Sequence, residues 1–166
     1  MKKSIYTKSP RIIKLKKRLE KELEVKIEVR GREITIDGPA EKEYIAEQVL
    51  DSIEMGFELN ISLLLKNEDF RFEMINVKEY AKSNNLESVR ARIIGKNRKS
   101  LDTIEQLTNS SIQLKDNQLG IIGPVETIGF AREALILLMK GTKHGNVYAY
   151  LEKHRFIPIV DLGLKK

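Results

Sequence analysis

The segment that most constrains the fold of this chain is Arg92-Ile93-Ile94-Gly95-Lys96-Asn97-Arg98. Apolar residues at helical spacing precede it in Leu86–Ile94 and follow it in Ser100–Leu107, so the segment is predicted to be a loop between two helices. Glycine lets the main chain approach a ligand closely, and the start of the following helix presents unpaired N–H groups and a positive dipole end. These features favour a loop that contacts phosphate.

The residues around this loop predict a small unit of mixed helices and strands. Short alternating runs bounded by turn residues indicate strands, and longer apolar stripes indicate helices. The predicted order is strand Phe70–Val77, helix Leu86–Ile94, the loop, helix Ser100–Leu107, strand Ser111–Leu114, turn Lys115–Gln118, strand Leu119–Ile122 and helix Pro124–Lys140. A further helix is predicted at His144–His154.

The back half of this unit occurs a second time, 85 residues earlier in the chain. Ile36-Asp37-Gly38-Pro39 falls on Ile121-Ile122-Gly123-Pro124, and the overlay continues without a gap. A repeat of this length indicates a duplicated small domain. The first copy is predicted to contain helix Arg11–Leu23, strands Val25–Val29 and Glu33–Ile36, and a helix from Pro39 to about Met55.

The front of the first copy differs from that of the second. Only Met1–Ser9 precede its first helix, so its lead-in is expected to be truncated or rebuilt. The glycine loop of the second copy falls on Pro10-Arg11-Ile12-Ile13, which contains no glycine. One copy is therefore equipped for phosphate contact in a way that the other is not.

The repeat divides the 166 residues into four segments. Residues 1–58 form a degenerate first domain and residues 59–71 an apolar connector, in which Asn60 is expected to cap a short helix over Ile61–Leu65. Residues 72–142 form the second domain, and residues 143–166 a C-terminal helix and tail. Domains of about 70 residues have thin cores, so the two copies are expected to pack against each other.

The net charge of +6 is distributed unevenly. Residues 1–30 carry 11 Lys and Arg against four Glu, residues 31–86 are net acidic, and residues 87–166 are net basic. Ser88–Lys99 contains five basic residues and no acidic one. A basic cluster around a glycine loop suits a polyanion, and a solvated charged face is the alternative interpretation.

The loop and the order of the elements together resemble the type I KH domain. In that family a Gly-x-x-Gly loop between two short helices clamps single-stranded RNA or DNA through its backbone. The resemblance implies an α+β fold of two tandem type I KH-like domains, each with a three-stranded sheet packed on helices, the first open to truncation. Arg98 stands where the pattern has its second glycine. Its bulk would weaken the approach of phosphate, or its side chain would replace that contact.

The KH resemblance implies a set of RNA-binding residues in the second domain. Gly95 provides the close approach within the loop, and Asn97 belongs to the same loop. The expected phosphate contacts are Lys96, Arg98 and Lys99, with Arg90 and Arg92 nearby; Ile94, Ile104 and Ile112 form the floor of a base groove; Lys115 and Asn117 line its rim. The basic helix of the first domain is expected either to bind RNA electrostatically or to act as a structural spacer.

The C-terminal part narrows the resemblance to one family. The relevant residues are Lys140-Gly141-Thr142-Lys143-His144-Gly145-Asn146-Val147-Tyr148, followed by Tyr150-Leu151-Glu152-Lys153. With the tandem arrangement, they are similar to the archaeal and eukaryotic small-subunit ribosome-assembly factors of the partner-of-Nob family, over about residues 4–155. The resemblance implies binding of the single-stranded 3′ region of small-subunit rRNA by the second domain. It also implies cooperation with the rRNA-trimming endonuclease and other assembly factors, and no cofactor.

Other function classes are disfavoured by composition. The chain has no cysteine, which rules out disulfides and thiolate metal sites and fits a reducing cytoplasm. Its longest apolar run, Ala134–Met139, is too short to cross a bilayer, so no membrane partner is expected. His144 and His154 lack metal-site spacing, and His144 is interpreted as a capping or packing residue. An enzyme is not expected; a protein-interaction scaffold with weak or no specific RNA binding remains the alternative.

Overall fold

A computed structural model describes residues 2–6 and 10–155 of the chain. It shows an α+β fold with two three-stranded antiparallel sheets, each packed on helices, as the sequence predicted. The first unit contains β1 (Lys2–Tyr6), α1 (Pro10–Leu23), β2 (Lys26–Arg30), β3 (Glu33–Asp37) and α2 (Ala40–Glu54). A connector follows, formed by α3 (Leu59–Ser62) and a 3₁₀ turn (Leu63–Lys66).

The second unit is longer because it contains two additional helices before the repeated part. Its elements are β4 (Phe70–Asn76), α4 (Val77–Tyr80), α5 (Leu86–Ile94), a 3₁₀ turn (Lys96–Arg98), α6 (Lys99–Thr108), β5 (Ser111–Lys115), β6 (Gln118–Pro124) and α7 (Ile128–Met139). Helix α8 (His144–Lys153) then packs on α6 and α7. The last strand of each unit is central, giving the orders β1-β3-β2 and β4-β6-β5.

The two units differ in the segment between their first strand and the repeated part. Strand β1 pairs with β3 as β4 pairs with β6. Only residues 7–9 lie between β1 and α1, whereas α4, α5 and the glycine loop lie between β4 and α6. The residues aligned with that loop, Pro10–Ile13, form the first turn of α1, where proline is well tolerated. The first unit therefore keeps the strand and replaces the loop with helix.

Three local predictions differ from the structure. The helix predicted from Pro124 begins at Ile128, because Gly123 and Pro124 extend β6 and pair with β4. Asn60 does not cap a helix, since α3 already begins at Leu59. Helix α4 was not predicted because four residues are too few to show a period, although the Asn76 side chain caps it by accepting from the Lys78 amide at 3.0 Å.

The first unit packs against the face of the second sheet that points away from the helices of the second unit. Alternation along the strands directs Ile75, Leu119 and Ile121 toward the helices of the second unit. Phe72 and Ile122 lie on the opposite face of the same sheet, in the apolar cluster of the first unit. Met55, Phe57, Leu59 and Leu65 belong to the same cluster. The second sheet is therefore covered on both faces, and the two thin cores support each other, as expected.

The connector is held in place by polar as well as apolar contacts. The buried Ser52 hydroxyl of α2 donates to the Ser62 hydroxyl of α3 at 2.7 Å. Phe57 meets Phe72 of β4 edge to face, with ring centroids 6.1 Å apart. Among the described residues, no helix has the length and apolar character needed to cross a membrane.

Candidate nucleic-acid interface

Gly95 begins the loop between α5 and α6 in a conformation that favours glycine. Its φ is +75°, and its amide donates to the Ala91 carbonyl at 2.9 Å, which ends α5. A Cβ at this position would lie 2.8 Å from both the amide nitrogen and the Cβ of Ser100. Any other side chain would therefore push the loop away from the first turn of α6. The sequence analysis predicted a glycine here for close approach to phosphate, whereas the contact that the structure shows is with Ser100.

The solvent-facing part of the loop is basic. Lys96, Asn97 and Lys99 are exposed, and Lys99 is the first residue of α6. Cations at the N-terminal end of a helix are disfavoured by the helix dipole. A phosphate bound beside this turn would interact favourably with both the lysines and the helix end. Lys96 and Lys99 are two of the three residues for which the KH resemblance predicts phosphate contact.

Arg98 occupies a different position from the one expected. Its φ of +65° lies in the left-handed region, and its side chain extends along α6 toward Asp102 and Glu105. The guanidinium forms salt bridges with Asp102 and Glu105 and donates to the Ile112 carbonyl of β5 at 3.0 Å. The hydrogen bond that Arg98 donates to the Glu105 carboxylate raises the pKa of Arg98 above its ordinary value. Arg98 is therefore committed to protein groups at the β5 edge rather than presented to phosphate.

A shallow pocket lies beside the loop. It has a volume of about 380 Å³ and is lined by Arg90, Ile94, Leu114, Asp116 and Asn117. Arg90 Nη1 donates to Asn117 Oδ1 at 2.6 Å, which joins α5 to the β5–β6 turn across the pocket. Ile94 is 36% exposed, a large fraction for an isoleucine. The pocket combines an apolar surface with polar groups at its rim, as a nucleobase site requires.

Two residues expected at the interface point elsewhere. Arg92 donates from Nε to the Leu138 carbonyl at 3.1 Å and from Nη2 to the Thr142 carbonyl, so it caps the end of α7. Lys115 Nζ donates to the Glu54 carbonyl of the first unit at 2.8 Å, because alternation along β5 directs Lys115 to the sheet face opposite the groove. Both side chains are bound to backbone carbonyls of the protein, and neither faces the groove as the sequence had predicted.

The expected apolar floor is mostly below the surface. Ile104 and Ile112 have no exposed surface and belong to the core of the second unit, so they support the groove without facing a ligand. Ile94 alone of the three reaches solvent. Leu114 and Asp116 line the pocket but were missed by the sequence analysis. The period of two along β5 was the available signal, since it places Ile112 and Leu114 on the same side of the strand.

The histidine beside Arg92 has the packing role proposed for it. His144 begins α8, and its Nε2 donates to the Arg92 carbonyl at 2.9 Å. Arg92 and His144 thus fasten α8 to α5 and α7 behind the loop. Among the residues that the structure describes, no cluster of three or more His, Asp or Glu side chains is placed to hold a metal ion.

The second unit matches a known family model. Residues 71–156 match the model described as eukaryotic type KH domain, KH domain type I, which is named for the second KH domain of PNO1. A KH domain-containing protein from Methanocaldococcus jannaschii is 33% identical over 148 residues, which cover 85% of this chain and 65% of that protein. The pre-rRNA-processing protein PNO1 from Chaetomium thermophilum is 28% identical over 153 residues, 88% of this chain and 58% of that protein. The chain thus spans less than two thirds of these relatives.

Solved structures share the whole two-unit arrangement. Dim2p from Pyrococcus horikoshii OT3 superposes with a TM-score of 0.82 at 28% identity, covering 92% of this chain and 99% of that one. A chain in the a/eIF2alpha–aDim2p–rRNA complex from the same organism has a TM-score of 0.83 at 27% identity, covering 93% of this chain and 94% of that one.

Proposed function

Because the chain belongs to the PNO1, or partner-of-Nob, family of KH-domain proteins, we propose that it binds RNA during assembly of the small ribosomal subunit. Relatives named as pre-rRNA-processing proteins and a structural neighbour solved in a complex with rRNA support this proposal. The protein acts by binding, without catalysis. Its working compartment is the cytoplasm, with which the absence of cysteine is consistent.

The second unit is the proposed RNA-binding site, and one observation carries this choice. Gly95 holds the loop against the N-terminal turn of α6, with Lys96 and Lys99 exposed beside it. The aligned residues of the first unit form helix instead, so they cannot approach a phosphate in the same way. The RNA is single-stranded, because unpaired bases are needed to enter a pocket beside the loop. The choice of the 3′ region of small-subunit rRNA comes from the family to which the chain belongs.

A binding titration tests this proposal. The full chain is titrated with a single-stranded RNA matching the 3′ end of small-subunit rRNA, and in parallel with a scrambled RNA, at two salt concentrations. Preference for the rRNA end, with a salt slope corresponding to roughly two to five neutralised phosphates, is expected. Equal binding of both RNAs that collapses with salt would instead indicate a basic surface, and would favour a protein-interaction scaffold.

Cooperation with the rRNA-trimming endonuclease is the finer part of the proposal. It follows from the family to which the chain belongs and is tested separately from RNA binding. Cleavage of a precursor RNA carrying the 3′ end is measured with the purified endonuclease, with and without this protein. A change in cleavage rate or position is expected, and identical cleavage in both reactions would contradict this role.

A further inference from the structure

The α7–α8 turn (Lys140–Lys143) and the start of α8 lie against the end of α5 from which the loop begins. The last carbonyls of a helix have no partner within it, and the Arg92 carbonyl accepts instead from His144 Nε2 at 2.9 Å. The Arg92 side chain donates to the Thr142 carbonyl of the turn. Arg92 precedes Gly95 by three residues, a rise of about 4.5 Å in a helix. The turn and the first residues of α8 therefore adjoin the loop.

The turn extends the basic surface of the loop. Lys140 and Lys143 are exposed, and within the described part of the chain neither forms an ion pair. No Asp or Glu occurs in Ser88–Lys99 or in Lys140–Leu151. Cations without carboxylate partners produce a positive potential that attracts a polyanion. The surface from the loop to α8 thus carries positive charge alone.

An aromatic side chain lies on the same part of α8. Tyr148 follows His144 by one turn, and the two ring centroids are 6.2 Å apart with the rings inclined at 54°. Val147 and Leu151 face the core and are 0% and 1% exposed. Tyr148 remains partly exposed, does not belong to the apolar cluster of the second unit, and its hydroxyl has no partner among the described residues. Packing of the core therefore does not account for this ring.

We propose that the α7–α8 turn and α8 bind a further stretch of the single-stranded RNA that is held at the loop. Tyr148 stacks on one base, with His144 beside it, and Lys140 and Lys143 contact the neighbouring phosphates. Aromatic rings interleaved with cations bind single-stranded nucleic acid with little dependence on sequence. This inference rests on the proposed RNA binding, and it favours RNA over an acidic protein because the surface is continuous with the proposed RNA site.

The length of the RNA tests the stacking. The RNA matching the rRNA 3′ end is shortened one nucleotide at a time from each end, and every length is titrated against the full chain. Tyr148→Leu keeps an apolar side chain but removes the ring, so it is expected to weaken binding of the longest RNA about tenfold. The shortest RNA that still binds should be unaffected. Tyr148→Phe keeps the ring and should bind as the wild type does. Tyr44→Leu is the control, since Tyr44 is 61% exposed on α2 of the first unit.

Salt dependence tests the phosphate contacts independently of the ring. Lys143→Gln is expected to lower the salt slope by about one for the longest RNA and to leave it unchanged for the shortest RNA that binds. Lys153→Gln is the matched control, because Lys153 is exposed at the opposite end of the same helix. Since the Lys143 side chain is exposed, this variant keeps the test available if Tyr148→Leu unfolds the protein.

The outcomes separate this inference from the proposed function. Equal loss of affinity for long and short RNAs in Tyr148→Leu would show that the ring acts through the fold, and would overturn the inference. Wild-type affinity and salt slope in all variants would overturn it as well, and would leave the surface to an acidic protein partner. Failure of the wild-type protein to bind any of the RNAs would overturn the proposed function itself. Circular dichroism of each variant confirms that the proteins compared are folded.

Discussion

Gly95 is the residue on which the proposed interface depends most directly. Gly95→Asp is expected to weaken RNA binding at least about tenfold, because a carboxylate would be placed where phosphate is bound. The substitution also places a Cβ 2.8 Å from the Ser100 amide nitrogen at a positive φ, so a clear loss of stability is expected as well. The measurement is fluorescence anisotropy of labelled RNA, with thermal unfolding followed by circular dichroism. Gly145→Ala is the matched control, since a Cβ there meets open space.

Binding by Gly95→Asp with wild-type affinity, in a folded protein, would contradict the proposed site. Loss of the fold would make affinity uninformative for that variant. The two exposed lysines of the same loop then provide an independent test.

Lys96 and Lys99 are exposed beside the helix end and are expected to contact phosphate. Lys96→Gln and Lys99→Gln, each alone, should weaken binding similarly for all RNA sequences and lower the salt slope by about one. The measurement is the affinity at several salt concentrations. Lys82→Gln is the charge-matched control because Lys82 is exposed near the far end of α5. An unchanged slope in both loop variants would exclude these lysines from the phosphate contact.

At the level of secondary-structure elements, α5 is expected to have two functions, one on each side. Arg90 faces the pocket and bonds with Asn117, whereas Arg92 caps the C-terminal end of α7 and carries the contact with His144. The sequence placed both arginines in the RNA-binding group because both lie in the same basic cluster. Two substitutions in one helix can separate these functions.

Arg92→Ala is expected to lower the free energy of unfolding by about 2 kcal/mol, because two backbone carbonyls lose a charged donor. The RNA affinity of the folded protein should stay near that of the wild type. Arg90→Ala is expected to do the reverse, with weaker RNA binding and little loss of stability. Urea unfolding and RNA titration of both variants provide the measurement. The same loss of affinity in both would show that Arg92 also contacts RNA.

At the level of the whole molecule, the close approach of the two units depends on the centre of β6. A Cβ at Gly120 would lie 3.0 Å from Phe57 Cε2 and 3.3 Å from both Met55 Cε and Phe72 Cε1. Overfilling a packed contact of this kind costs about 1–3 kcal/mol. The packing of the units therefore relies on the missing side chain of one glycine.

Gly120→Leu is expected to reduce the free energy of unfolding by about that amount, since Phe57 and Phe72 must move apart. Gly129→Ala in α7 is the control because its Cβ meets no neighbour, and it should leave stability unchanged or slightly higher. The measurement is urea unfolding followed by circular dichroism. Equal stability of the two variants would contradict the close packing of the units at Gly120.

The same packing explains why the two sheets differ. The second sheet directs Phe72 and Ile122 to the side away from its helices, where the first unit covers them. The first sheet alternates buried Ile34 and Ile36 with half-buried Glu33, Thr35 and Asp37. The first unit, which has helix where the second unit has the loop, thus covers one face of the second sheet.

Much of the fold was determined by the sequence alone. Strands β2 and β5 lie 85 residues apart with matching ends, as the repeat predicted, and α5 begins and ends at the predicted residues. The type I KH fold and the family assignment were confirmed. The bounds of these elements depend on short-range periodicity and on glycine and proline signals, which a contiguous stretch carries within itself. The KH fold and the family were predicted from the resemblance of the Arg92–Arg98 loop and the Lys140–Tyr148 segment to that family.

The roles of individual basic side chains were decided only by the tertiary structure. Arg92 bonds with carbonyls 46 and 50 residues away, and Lys115 with one 61 residues away. The Arg98 side chain reaches the Ile112 carbonyl of β5, 14 residues away in sequence, which lies beside it because α6 packs on the sheet. A charged side chain adopts whichever partner folding brings within reach, and no local pattern contains that information.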